Sequence, residues 1–148
     1  MLFYITGDGI DMELSKKNKI IEIVRKCYPS VTAVYLFGSY ASGESVESSD
    51  IDIAVLLPPE DLKVSFNNNM LFELETALQN DVDLVFLRSS NTVLQKEVIV
   101  VDNMIFCADQ NAVDEFEMLV ISRYQKLNEE REGIIADAFK TGILIGNE

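Results

Sequence analysis

The chain has 148 residues, with 25 acidic against 12 basic side chains, a formal net charge of −13 and no histidine. That length predicts one domain, residues 1–148, able to bury about two-thirds of its surface. The charge argues against a protein that grips nucleic acid broadly and favours a basic protein partner or a metal-bound nucleotide, while the missing histidine leaves carboxylates as the acid–base groups.

Residues 2–5 read as a short strand ended by Gly7-Asp8-Gly9. The segment Met1-Leu-Phe-Tyr-Ile5 is too short for a signal peptide, and no apolar run reaches the length of a membrane span. Asp11 is a candidate N-cap for a helix to Cys27, with Leu14, Ile20, Ile21, Val24, Cys27 and Tyr28 on one stripe. Lys16, Lys17, Lys19 and Glu22 fall off that stripe and are expected in solvent, and Pro29 ends the helix. Cys27 and Cys107 both sit in apolar contexts and are expected to be buried thiols, which places the chain in a reducing cytoplasm.

Next comes an apolar run, Ala33-Val-Tyr-Leu-Phe37, of strand length and composition. Gly38-Ser39 turns the chain into a polar loop that runs to Ser49. Gly38 permits positive φ and a close approach of backbone to ligand; Ser39 can cap a short helix through Ser42, whose free N–H groups attract phosphate. A second strand, 50–57, opens with Asp50 and Asp52 and stops at Pro58. Alternate strand residues share a face, about 6.6 Å apart along the strand, so these carboxylates look the same way and repel. A divalent cation with oxygen ligands, Mg²⁺ or Mn²⁺, relieves that repulsion.

Phe66 to Leu78 has a helical stripe of Phe66, Met70, Leu71, Leu74, Ala77 and Leu78, with Asn80 as its C-terminal cap. A third strand, 82–87, follows, and the helix between lets it lie beside the second by a crossover, with Asp83 near Asp50 and Asp52. Thr92–Val101 reads as a helix with Leu94, Val98 and Val101 inward, and Met104–Cys107 as a strand. Residues 113–140 form one long helix or two, with Phe116, Leu119, Val120, Leu127, Ile134, Ala138 and Phe139 at helical spacing and Gly133 a candidate break. The tail Ile143-Leu-Ile145 is apolar and either folds back on the core or meets a partner. The whole is an α/β chain: a small mixed sheet flanked by helices, with a core over about 12–110 and a C-terminal helical segment.

Gly38-Ser39, ten residues, then Asp50-Ile51-Asp52 resembles the signature of the DNA polymerase β-like nucleotidyltransferase superfamily. At this length the chain is most similar to the minimal nucleotidyltransferases, the MNT-domain proteins, many of them antitoxins encoded beside HEPN-domain toxins. The resemblance spans roughly residues 12–140, and its specific part is 36–57 and 81–87. It implies a third carboxylate from the strand at 82–87, which Asp83 matches better than Asp81. It further implies two Mg²⁺ ions, the first on Asp50 and Asp52 and the second on Asp52 and Asp83, with Gly38 and Ser39 holding the triphosphate of ATP. The acceptor it implies is a tyrosine of a cognate HEPN toxin, which AMP transfer would silence, in complex or oligomer with that toxin. One departure matters: many members carry a basic residue where this chain has Ser42, which predicts weaker nucleotide affinity. Two other readings are a non-catalytic antitoxin that neutralises by binding, and a small-molecule nucleotidyltransferase of the aminoglycoside type.

Overall fold

Five consecutive apolar residues make a strand buried on both faces, and β1 (Ala33–Phe37) is buried at every position. Its neighbour β2 (Ile51–Leu56) is buried everywhere except at Asp52. These two strands are the centre of a four-stranded sheet in the order β3-β2-β1-β4, with β3 at Val82–Phe86 and β4 at Met104–Cys107. The structure, a computed structural model, describes residues 14–38, 50–61 and 68–141. The helices are α1 (Leu14–Cys27), α2 (Asn68–Leu78), α3 (Thr92–Val101) and α4 (Gln110–Thr141).

β1 runs antiparallel to both β2 and β4, whereas β2 and β3 are parallel. A parallel pair needs a crossover, and α2 supplies it. Alternation then divides the core in two. Val34, Leu36, Ile51, Ile53 and Val55 pack with Ile20, Ile21 and Val24 of α1 and Met70, Leu74 and Leu78 of α2. Ala33, Tyr35, Phe37, Ala54 and Leu56 pack on the other face with Val98 of α3 and Val113, Phe116 and Val120 of α4. The mixed α/β sheet with a long C-terminal helix is the architecture expected from the sequence.

Several local expectations need correction. Lys17 is buried rather than solvated, because it stands three and four residues before Ile20 and Ile21 on the packed face, where its aliphatic stem can be covered. Leu14 is exposed, at the very start of the described part of the helix. The left-handed residue closing α2 is Gln79, at φ +55°, not Asn80; its N–H donates to the Glu75 carbonyl at 2.8 Å. β3 stops at Phe86, and Leu87 opens a short 3₁₀ turn while remaining fully buried. In α3, Val98 points inward but Val101 does not. Buried Gln95 takes the inward place instead and donates from Nε2 to the Leu87 carbonyl at 2.9 Å. Asn91 caps α3 by accepting from the Leu94 N–H at 2.8 Å, and Asp102 ends it at φ +56°.

α4 is a single helix that runs through Gly133. Asp109 accepts from the Ala112 N–H at its start. Of its apolar stripe, Phe116 and Val120 are buried, but Leu119, Ile134 and Phe139 are exposed. Both cysteines are free and half-buried. Among the described residues no helix is long and apolar enough to cross a membrane. The expected strand at 2–5, the helix cap at Asp11, the loop from Ser39 to Ser49, Phe66 and the 143–145 tail lie outside the described residues.

Candidate active site

The only position of β2 that is not buried carries Asp52. Register decides what surrounds it. On one side Asp52 stands opposite Phe37, the last residue of β1; on the other it stands opposite Asp83 of β3. Neighbouring strands lie about 4.8 Å apart, so opposed residues place their side chains side by side on one face. Asp52 and Asp83 therefore point the same way from adjacent strands, and the charge of Asp83 disfavours ionisation of Asp52. Asp50 is exposed just ahead of the strand, and its charge adds to the field on Asp52.

Gly38 follows Phe37 directly and turns the backbone at φ +75°. A Cβ at that position would lie 1.9 Å from Oδ2 of Asp52. The glycine therefore does two things: it adopts a conformation that L side chains resist, and it lets the main chain lie against the carboxylate. Ser39, its expected phosphate-binding neighbour, lies outside the described residues.

Partial burial, reinforced by the charges of Asp83 and Asp50, pushes the Asp52 carboxyl up to about 6. The contact with Asp83 and the charge of Glu97 act in the same direction. Glu97 belongs to α3, which covers this face of the sheet, and reading the sequence did not single it out. Its influence depends on α3 packing on the sheet face that carries Asp52, which no local pattern reveals. Asp81, the other acid of that segment, uses its backbone carbonyl to accept from the Ile51 N–H at 2.9 Å.

The described residues hold no cluster of three carboxylate, thiol or imidazole groups close enough to form a ready-made metal site. The donor set nonetheless suits a hard divalent ion. It consists of oxygen ligands, and the Asp52–Asp83 pair carries a repulsion that a bound cation would remove.

Residues 18–111, well over half of the chain, match the family model described as polymerase beta nucleotidyltransferase. The chain belongs to the polymerase β nucleotidyltransferase family. Membership brings a nucleotide substrate and a divalent metal ion. Among curated relatives, protein adenylyltransferase MntA of Shewanella oneidensis is 41% identical over 127 residues, covering 85% of this chain and 89% of that protein. Among solved structures, a toxin–antitoxin with AMP-PNP superposes with a TM-score of 0.65 at 39% identity, covering 83% of this chain and 98% of the other. A complex of tri-AMPylated Shewanella oneidensis HEPN toxin with MNT antitoxin gives 0.64 at 36% identity, covering 86% and 99%. In this chain the sheet end that carries Asp52 and Asp83 also carries the turn at Gly38.

Proposed function

We propose that this chain is a protein adenylyltransferase that moves AMP from ATP onto a tyrosine hydroxyl of a cognate HEPN-domain toxin and so acts as its antitoxin. The observation that carries this reading is the direct opposition of Asp52 and Asp83 across parallel strands, with Gly38 laid against Asp52.

In the reaction the acceptor oxygen bonds to the α-phosphorus of ATP while the bond to the pyrophosphate oxygen breaks in line. The acceptor proton passes to Asp83, which is exposed and faces the site. Asp50, Asp52 and Asp83 would hold Mg²⁺, which when bound braces the phosphates and lowers the pKa of the attacking hydroxyl. Asp52 must be ionised to serve as a ligand, so its raised pKa ties cation binding to pH. Gly38 and Ser39 would receive the triphosphate, with Gly38 keeping that approach clear of any side chain. The protein makes no covalent intermediate; positioning and charge compensation supply the rate.

The relatives' AMP-PNP complex and AMPylated toxin support this assignment over small-molecule transfer. The test is intact mass. A HEPN-domain toxin, the partner class of the relatives' complexes, is incubated with this chain, ATP and Mg²⁺. Gain of AMP mass with wild type and none with Asp52→Ala is the expected result. Neutralisation of the toxin without added mass would make the chain a binding antitoxin instead.

A further inference from the structure

Two side-chain contacts fix how α1 lies on the sheet. Near its end the Arg25 guanidinium lies 5.1 Å over the Phe106 ring of β4, and Phe106 stands opposite Val34, one residue into β1. At its start Lys16 donates from Nζ to Oδ1 of Asn80 at 3.5 Å, just before β3 opens at Val82. Val82 in turn pairs with Ile51, the neighbour of Asp52. α1 therefore runs antiparallel to β1, and its first described turn lies at the sheet end that carries Gly38 and the acids. The lengths agree. The helix climbs about 15 Å from Cys27 back to Lys17, and β1 climbs about 13 Å from Ala33 to Phe37.

Lys17 belongs to that turn and is 1% exposed. Its stem shares the packed face of α1 with Ile20 and Ile21. Among the described residues its ammonium makes no hydrogen bond or ion pair. A buried charge without a partner is strongly unfavourable, so a lysine here calls for an anion. Helix side chains lean toward the helix N-terminus, which carries this ammonium toward the sheet end rather than deeper into the core.

Asp52 shares its face with Ala54 and Leu56, under α3 and α4, whereas α1 covers the other face. The turn at Gly38 lies between the two, across the end of the sheet. The α-phosphorus of ATP has to lie beside Asp52 and Asp83 for transfer. The side chains whose charges act on Asp52 are acids, Asp83, Asp50 and Glu97, and offer the rest of the triphosphate no cation.

We infer that Lys17 is the cation that holds the terminal phosphates of ATP, which reach it across the Gly38 turn. An ammonium suits phosphate oxygens as a compact point charge. No bond is made or broken at it; it binds the part of the nucleotide that leaves as pyrophosphate. The inference rests on the nucleotide-transfer reading above and adds to it a residue that selects a triphosphate over a monophosphate.

The test is calorimetry on the full chain, wild type and Lys17→Met, titrated with AMP-PNP or with AMP in the presence of Mg²⁺. Methionine keeps an unbranched stem in the same space and removes the charge. AMP-PNP affinity should fall by roughly tenfold or more in the variant. AMP affinity should stay unchanged, and the free variant should melt no lower than wild type, because it loses a buried unpaired charge. Unchanged AMP-PNP affinity overturns the inference. A variant that melts lower, or that loses AMP and AMP-PNP affinity alike, assigns Lys17 to the fold and overturns it too. The expected loss of AMP-PNP affinity, beside a wild type that transfers no AMP to a HEPN-domain toxin, keeps Lys17 as a phosphate ligand and overturns the transfer reading alone.

Discussion

Gly38 packs its backbone against the Asp52 carboxylate so closely that a Cβ would fall 1.9 Å from Oδ2. Replacing it with alanine must move either the turn or the carboxylate, and alanine also resists φ +75°. Gly38→Ala should cost about 1–3 kcal/mol of stability. It should also reduce AMP transfer well beyond that loss when assayed far below the melting temperature. Chemical denaturation and a transfer assay on the same preparation check both. Wild-type stability together with wild-type transfer would contradict the contact.

Asp52 illustrates a site that works against the fold. Its carboxyl is pushed up to about 6, chiefly by burial and then by the charges of Asp83 and Asp50, from an ordinary value near 3.8. The folded state therefore holds the proton more tightly than the unfolded chain. Stability falls as pH rises between those two values, and the full penalty is present above about 6. Asp52→Asn removes it. After discounting for solvent screening, the variant should be more stable than wild type by on the order of 1 kcal/mol at pH 8 and no more stable below pH 4, while transferring no AMP. Melting temperatures across that pH range test the sign. A variant less stable than wild type at pH 8 would refute it.

The Tyr35–Glu117 bond ties the centre of the sheet to α4. Burial, with the charges of Asp102 and Asp114, raises the Glu117 carboxyl, and the Tyr35 hydroxyl offsets part of that rise. Tyr35→Phe should cost about 1 kcal/mol where Glu117 is ionised and loses its donor. The loss should shrink as pH falls and Glu117 takes up a proton, because the protonated group has less need of a donor. Urea unfolding across a falling pH series gives the comparison, and a loss that does not change with pH would separate the defect from Glu117.

Gly133 lies on the back of α4 relative to the apolar stripe, with nothing within 4 Å of a Cβ placed there. Gly133→Ala should stabilise the helix by up to about 1 kcal/mol and raise far-UV helicity. Lower helicity or stability in the variant would contradict a continuous helix through residue 133.

Much of this architecture was legible because the chemistry is local. β1 and β2 are covered on both faces, so β1 appears as an unbroken apolar run and β2 as one broken only at Asp52. The interruption of the second run by Asp52 marked the candidate site at once. The opposition of Asp52 and Asp83 needed one more step, a helical crossover that sets two strands parallel. What stayed hidden depended on three-dimensional placement. Lys17 carries a charge that disguises a core position, and Gln95 occupies an inward place normally given to an apolar residue. The charge of Glu97 bears on Asp52 only because α3 packs on that face of the sheet. The inward stripe of α4 was readable, but not the point at which the body beneath it stops.

The central claim is that Asp52 and Asp83 together hold the divalent ion used in AMP transfer. Titration of Mn²⁺ into the chain with a non-hydrolysable ATP analogue, followed by electron paramagnetic resonance, tests it most directly. The account predicts saturable binding at pH 8 that falls by roughly tenfold or more in both Asp52→Asn and Asp83→Asn, since each removes a charged ligand. Unchanged Mn²⁺ affinity in either variant would contradict it.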